Sequence, residues 1–311
     1  MKVYIATFGC RANQYDSEAA KAMLVAGGAE IVESPETADA ALFNSCAVTS
    51  RAEADLRASI RRAARANPAL RTVVMGCAAA LDPGRDAARS LRSLPTVDGV
   101  VPGADLEGVA RSLGVDPALA LARPSRQSGA RALLRIQDGC DEHCTFCATT
   151  LARGVNSSRP VGEVVAEAER LAEWHSEIVI TGVHIGSYGA DDGTSLALLV
   201  ERLVRAVPSA RFRLSSVEAT EVDDRLRELG ERKADAYHRA RDGGEADVVI
   251  VGSAAKREGL TGDYIRVRCG DQSLARGTRV KARLEYRDGE MLATAARGRL
   301  RDRPQKASAG G

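Results

Sequence analysis

The chain has 311 residues, of which 44% are hydrophobic and 28% are charged, and its formal net charge is +2. This composition is typical of a globular protein with two or three domains. Because the net charge is small, the charge of the whole chain gives no argument for nucleic-acid binding. Such binding would have to depend on local basic patches. No stretch approaches the ~20 apolar residues of a membrane helix, and the chain begins with a strand pattern instead of a signal peptide. We therefore expect a cytoplasmic protein with no membrane partner.

Residues 1–118 alternate short apolar strands with helices, which predicts an α/β domain built on a doubly wound parallel sheet. The predicted strands are KVYIATF, Glu30–Glu33, AALFNS, RTVVMG and VDGVVPG. The predicted helices are Asp16–Ala26, Ala52–Ala66 and the amphipathic stretch after Asp105. Residues 119–131 interrupt this pattern with Pro, Gly, Ser and Arg, so we interpret them as a linker.

Residues 132–229 contain a second α/β run of three βα units, which ends with the strand RFRLSSVE. Residues 223–242 are highly charged at helical spacings, and 230–244 are assigned to a connecting helix. Residues 245–297 alternate apolar and polar positions between glycine-bearing turns, which indicates a small antiparallel β-barrel or sandwich. The Arg-rich residues 298–311 have no core pattern and predict a disordered basic tail.

Three cysteines, Cys140, Cys144 and Cys147, follow a predicted strand at the spacing C-x3-C-x2-C. Three thiolates this close can bind three irons of a [4Fe–4S] cube and leave the fourth iron open for the amino and carboxylate groups of S-adenosylmethionine. The alternative is a structural zinc site, but zinc sites close with four ligands that usually come as C-x2-C pairs. His143, inside the loop, is poorly placed as a fourth ligand, and Phe146 fits an apolar wall beside a cluster.

A second set of cysteines, Cys10, Cys46 and Cys77, follows three different predicted strands of the first sheet. Ligands of open parallel sheets gather beyond the carboxyl ends of the strands, so these thiols are expected to converge on one point. The residues alone leave two readings open: a second three-cysteine cluster, or three buried cysteines packed as small hydrophobes. Cys269 lies in the predicted strand YIRVRC with no partner nearby and is expected to be a core or surface thiol.

These features together resemble the radical S-adenosylmethionine tRNA methylthiotransferases, in particular the branch that modifies threonylcarbamoyladenosine next to the anticodon. The matching stretches are TFGCRANQYDSEA, FNSCAVTSRAEADLRASIRRA, VVMGCAAA, RIQDGCDEHCTFC, ARGVNSSRP, EIVITGVHIGSYG and RLSSVE. From GDYIRVRC onward the strands resemble the family's small RNA-binding barrel, of the TRAM type. The resemblance implies that Cys10, Cys46 and Cys77 hold a second [4Fe–4S] cluster.

The resemblance also implies a chemistry, its cofactors and its partners. One cluster and S-adenosylmethionine generate a radical on the adenine, the other cluster holds the sulfur to be inserted, and a second S-adenosylmethionine supplies the methyl group. The implied partners are tRNA, an electron donor such as flavodoxin or ferredoxin, and a sulfur source. By motif, the residues implied to contact the cofactor are Phe146, Thr181, Gly182, Ser215 and Glu218, the last two placed on the third strand of the second run. No catalytic acid or base is assigned.

The sequence departs from the family in its second α/β run, where relatives have six βα units forming a partial barrel. Here three units end near Leu229–Gly230, so the second half of the barrel is missing. Half a parallel sheet leaves an open edge and loses part of the wall that keeps water from a radical. The hypotheses carried forward are an active methylthiotransferase, a catalytically impaired homologue that binds clusters or tRNA, and a zinc-stabilised RNA-binding protein.

Overall fold

A computed structural model describes residues 1–47, 49–82, 90–142, 144–145, 147–251, 258–270 and 274–299. The chain divides into two compact units, residues 1–223 and residues from Asp224 onward. No helix in these described ranges combines the length and apolar character needed to cross a membrane.

The first unit begins with a five-stranded parallel sheet whose strand order is β2-β1-β3-β4-β5. Its strands are β1 (Lys2–Thr7), β2 (Glu30–Val32), β3 (Ala40–Ser45), β4 (Arg71–Gly76) and β5 (Val97–Pro102). The helices are α1 (Arg11–Ala26), α2 (Ser50–Ala66), α3 (Cys77–Ala80) and α4 (Leu106–Leu113). Apolar residues of α1 and α4 pack in one core with Val73 and Met75, whereas α2 packs in another with Phe43 and Val74. Because β4 contributes alternate residues to both cores, helices cover both faces, and the predicted doubly wound α/β sheet is confirmed.

Local sequence sets the starts of these helices. Thr49 caps α2, since its hydroxyl accepts a hydrogen bond from the Ala52 amide at 3.1 Å, and Leu56 and Ile60 then recur at helical spacing on the buried face. In α1 the expected start at Asp16 is wrong, because the helix begins at Arg11. The first turn of α1 has no apolar period, since it buries polar side chains such as Asn13 instead.

The second part of this unit is a three-stranded parallel sheet, ordered β10-β9-β6. Its elements are β6 (Ala132–Arg135), β7 (Gln137–Asp138), α5 (Thr149–Arg153), β8 (Ser157–Ser158), α6 (Val161–Ala172), β9 (Glu177–Thr181), α7 (Leu196–Ala206) and β10 (Arg211–Leu214). The short strands β7 and β8 pair separately, in antiparallel fashion. The three predicted parallel strands are thus present, and helices α6 and α7 follow the first two of them.

One placement from the sequence is corrected here. Ser215 and Glu218 were expected on the third strand, but β10 ends at Leu214 and both residues follow it. The Ser215 amide still donates to the Ile180 carbonyl at 3.2 Å, after which Ser216 adopts a left-handed φ of 56° and turns the chain away.

The second unit consists of α8 (Asp224–Arg241) and a closed five-stranded barrel. The strands are β11 (Glu245–Ile250), β12 (Glu258–Thr261), β13 (Arg266–Cys269), β14 (Arg279–Arg287) and β15 (Glu290–Arg299). Inward residues such as Val248, Val267 and Leu284 form its core, which confirms the alternating pattern. The expectation of a purely antiparallel barrel is wrong in one place, because β13 and β15 pair in parallel. Of the predicted tail, residues 298 and 299 belong to β15, and 300–311 lie outside the described residues.

Helix α8 confirms the helical prediction for residues 223–242 to within one residue at each end. It continues without a break through Leu229 and Gly230, the position at which the sequence departs from the family. The junction expected at this position would therefore lie inside one regular helix.

Candidate metal centres

The three cysteines of the first sheet lie at the carboxyl ends of three adjacent parallel strands. Cys10 lies between β1 and α1, while Cys46 and Cys77 directly follow β3 and β4. Strands β1, β3 and β4 are neighbours in the sheet, so their ends are separated by roughly 5 Å per strand. Burial raises the pKa of the Cys77 thiol, and charge repulsion from Cys10 and Cys46 adds to that effect. The fold thus places the three residues at adjacent strand ends, and their role as joint ligands stays a prediction.

Glycine makes it possible for the loop that carries Cys10 to approach Cys46 closely. Gly9 has a φ of +105°, and a Cβ at this position would lie 2.6 Å from Cys46 Cβ and 2.8 Å from its sulfur. Any side chain at residue 9 would therefore be strained and would also push Cys46 away. The FGC motif is explained by this packing between two strand ends.

Two buried asparagines fix the loops that carry the first set. Asn13, on the first turn of α1, donates from its amide to the carbonyls of Phe8 at 3.0 Å and Ser45 at 2.7 Å. Its oxygen accepts from the Cys10 thiol across 3.6 Å. Asn44 donates in turn to the Asn13 carbonyl at 2.7 Å. These amides were not singled out from the sequence, although both lie in the stretches that resemble the family.

The second set lies on the loop between β7 and α5. The Cys140 amide donates to the Gly154 carbonyl at 3.1 Å, and the Cys147 amide donates to the Cys144 carbonyl at the same distance. Cys144 and Cys147 are exposed and Cys140 is half-buried. Hydrogen bonding with the side chain and backbone of Thr149 lowers the pKa of the Cys147 thiol. This exposure leaves room for a cluster against the loop. Phe146 and His143 lie outside the described residues, so what the sequence predicts for them stays a prediction.

A histidine that sequence reasoning missed lies beside this loop. Nδ1 of His184 is 3.9 Å from the Cys140 sulfur, and its Nε2 pairs with the carboxylate of Glu221. A carboxylate partner on the far nitrogen is the usual way in which proteins orient a histidine next to a metal. The only sequence signal for it was its position in the stretch EIVITGVHIGSYG.

The remaining predicted contact residues lie around the ends of β9 and β10. Thr181 is buried at the end of β9, and a Cβ on Gly182 would lie 2.8 Å from Oε1 of Gln137. Ser215 donates through its hydroxyl to the Ile180 carbonyl at 2.9 Å. Glu218 is exposed and forms a reciprocal cap with Glu221. Gln137 also ties this edge to the second cysteine loop, because it donates to the Gly139 carbonyl at 2.7 Å.

One arginine contacts both cysteine regions. Arg153 is the last residue of α5, directly after the second cysteine loop, and its side chain is 2% exposed. Its Nε donates to the Cys77 sulfur at 3.3 Å, and its Nη atoms donate to Asp16 at 2.7 Å and to Asp138 at 2.9 Å. Burial raises the pKa of Cys77, and the positive charge of Arg153 opposes that effect. Burial likewise acts against the charged form of Arg153, but Asp16 and Asp138 outweigh it and raise the arginine pKa.

The candidate ligands of both sets are cysteine thiols. The seven cysteines all lie within the described residues and form no disulfide bond. Within the described part of the chain, no group of three His, Cys, Asp or Glu side chains is already arranged to hold one metal ion.

Comparison with known proteins supports the resemblance noted above. Residues 2–101 match the family described as uncharacterized protein family UPF0004. The threonylcarbamoyladenosine tRNA methylthiotransferase MtaB of Rickettsia prowazekii is 34% identical in an alignment that covers 72% of this chain and 54% of that protein. The protein of the same name in Bacillus subtilis is 34% identical, over 73% of this chain and 53% of its own length. The tRNA-2-methylthio-N(6)-dimethylallyladenosine synthase of Deinococcus radiodurans is 34% identical over 63% of this chain and 41% of its own.

The chain thus spans about half the length of the curated relatives that it matches. This partial coverage is consistent with the three parallel strands found where six were implied. The UPF0004 match and identities of about one third over most of its residues make this chain a homologue of the tRNA methylthiotransferases.

Proposed function

We propose that this chain is a radical S-adenosylmethionine tRNA methylthiotransferase with two [4Fe–4S] clusters. The observation that supports this function most strongly is the pair of three-cysteine sets in one compact unit. One set lies at three adjacent strand ends and the other on a single loop. Three thiolates leave one iron of each cube without a protein ligand, which is the arrangement needed to bind a substrate or cofactor at the cluster.

When bound, the clusters and S-adenosylmethionine would supply the adenosyl radical, the inserted sulfur and the methyl group. The chain's own residues would bind and orient these groups. Cys10, Cys46 and Cys77 would ligate the cluster that holds the sulfur. Cys140, Cys144 and Cys147 would ligate the cluster that binds S-adenosylmethionine.

The proposed contacts to S-adenosylmethionine are Thr181, Gly182, Ser215 and Glu218, with Phe146 as a further contact from the loop. The structure supports this for the first three by their position at the strand ends of the second sheet. Glu218 is exposed, but its carboxylate is engaged in the cap of the following turn. It would have to exchange this hydrogen bond for one to the cofactor.

The proposed substrate is threonylcarbamoyladenosine in tRNA, next to the anticodon. Support comes from the printed names of the relatives in Rickettsia prowazekii and Bacillus subtilis. The closed barrel would serve as a TRAM-like RNA-binding module, since basic side chains on its strands point to solvent and suit phosphate contacts. They are Arg266, Arg268, Arg279, Lys281 and Arg283. The reaction would also need an electron donor such as flavodoxin or ferredoxin and a source of sulfur.

The test is a single-turnover assay of the full chain after anaerobic reconstitution with iron and sulfide. The chain is mixed with dithionite, S-adenosylmethionine and a tRNA that carries threonylcarbamoyladenosine, and 5′-deoxyadenosine and the methylthio nucleoside are measured by mass spectrometry. We expect both products from the parent chain and neither from Cys144→Ala. Cys269→Ala serves as the matched control, because this cysteine is buried in the barrel core, and it should behave as the parent.

Two results would contradict the proposal in different ways. A chain that holds both clusters but makes no 5′-deoxyadenosine would be a catalytically impaired homologue. A chain that takes up zinc, and neither iron nor acid-labile sulfide, would be a zinc-stabilised protein.

A further inference from the structure

We propose that Arg153 is a positioning residue that connects the two cysteine sites and raises the reduction potential of the cluster held by Cys10, Cys46 and Cys77. This inference rests on the proposed function, because it needs a cluster at the first set. Arg153 ends the short helix that follows the second cysteine loop in sequence, and it touches a residue of the first set in space.

All of the donor atoms of Arg153 have partners. Nε donates to the Cys77 sulfur at 3.3 Å, Nη1 donates to both oxygens of Asp138 at 2.9 and 3.1 Å, and Nη2 donates to Asn13 at 2.7 Å and Asp16 at 2.7 Å. Because the guanidinium is planar, fixing its two Nη atoms on carboxylates also fixes the direction of the Nε–H bond. That direction is toward the sulfur of Cys77.

The partners of Arg153 come from both sides of the unit. Asp16 and Asn13 lie on α1, beside the first set, whereas Asp138 lies on β7, two residues before Cys140. The side chains of Arg153 and Asp16 are 2% and 1% exposed. A buried ion pair of this kind has little freedom to move. The arginine therefore holds the start of the second cysteine loop at a fixed place relative to the first set.

The charges of this network predict an effect on the cluster. Arg153 and Arg135 share the two carboxylates of Asp16 and Asp138. The two positive and two negative charges of these side chains cancel before the charge of any cysteine is counted. Three thiolates and a cluster add negative charge, which grows when the cluster takes up an electron. An N–H bond directed at a ligating sulfur stabilises the more negative, reduced state and so raises the reduction potential.

The test uses the full chain carrying Cys140→Ala, Cys144→Ala and Cys147→Ala, so that only the first set can bind a cluster. Into this background we would introduce Arg153→Lys or Arg153→Gln, reconstitute with iron and sulfide, and measure the midpoint potential by EPR-monitored titration with dithionite. Arg135→Lys is the matched control. The native Arg135 side chain pairs with the same two aspartates as Arg153, but its other neighbour is the ring of Tyr15 and not a cysteine.

We expect Arg153→Lys to keep its iron and to shift the midpoint to a lower potential. Arg153→Gln should shift it further and lose iron faster to a chelator. Arg135→Lys should retain the parent potential. If Arg153→Gln does not hold iron, Arg153→Lys decides the matter alone, because it keeps the charge and loses the fixed N–H direction.

Parent-like potentials in both Arg153 variants would overturn this inference and leave the proposed function intact. An equal shift in Arg135→Lys would also overturn it, because the effect would then come from the carboxylates. If the parent background binds no iron, both the inference and the first-site cluster of the proposed function fail.

Discussion

Replacement of Asp16 by Asn tests the buried ion pairs that hold the first unit together. Asp16 is 1% exposed and pairs with Arg135 at 2.5 Å and with Arg153 at 2.7 Å. Breaking a buried pair leaves an uncompensated charge and costs about 3–5 kcal/mol. Because both arginines keep a contact with Asp138, we expect the low end, about 3 kcal/mol, as the loss in free energy of unfolding.

The measurement is urea unfolding followed by tryptophan fluorescence. Trp174 is the single tryptophan of the chain and lies in the first unit, so its signal reports on that unit. With a slope of about 2 kcal/mol per molar urea, the midpoint should fall by roughly 1.5 M. Glu53→Gln is the matched control, because it removes a surface ion pair with Arg57 whose N···O distance, 2.9 Å, is similar. The free energy of unfolding should fall by only about 0.3–0.5 kcal/mol in this variant. Equal midpoint shifts in the two variants would refute the assignment of stability to the buried pairs.

Three further predictions follow from single residues. Gly9→Ala should displace Cys46 and reduce the iron content from about eight to about four per chain. Gly28→Ala is the control, because Gly28 also has a positive φ but a Cβ there would meet no atom within 4 Å, so this variant should bind the full amount of iron. Equal iron content in the two variants would contradict the role of Gly9. Burial raises the pKa of Tyr15 to about 12, so the neutral phenol stabilises the fold below pH 10, and about 2–3 kcal/mol should be lost between pH 10 and 12. Between pH 10 and 12 the urea midpoint should fall less steeply with pH in Tyr15→Phe than in the parent chain. Parallel pH profiles of the two chains would contradict this role of Tyr15. Cys269→Ala should cost about 1 kcal/mol by losing a buried side chain and should leave the iron content unchanged; a loss of iron would make Cys269 a ligand.

The cysteine-bearing strands could be predicted from the sequence because their signals are local. Short apolar runs mark β1, β3 and β4, and each run is followed closely by a cysteine. The fold rule that ligands gather at the carboxyl ends of parallel strands then places Cys10, Cys46 and Cys77 together. The barrel strands were equally visible in their alternation, but alternation says nothing about strand order, so the parallel pairing of β13 with β15 was missed.

The polar network could not be predicted, because its members are far apart in the sequence. Arg153 pairs with Asp16 across 137 residues and contacts Cys77 across 76. His184 meets Cys140 across 44 residues. Buried charges interrupt the apolar periodicity on which sequence reasoning depends, and for the same reason the first turn of α1 was assigned too late.

The most direct test of the central claim is the iron and acid-labile sulfide content of three full-length chains after anaerobic reconstitution. These are the parent, a variant without Cys10, Cys46 and Cys77, and a variant without Cys140, Cys144 and Cys147. Two separate four-iron clusters predict about eight irons and eight sulfides in the parent and about four of each in either variant. If one variant binds as much iron as the parent, the three cysteines removed from it are not ligands. Zinc without sulfide in the parent would contradict the presence of both clusters.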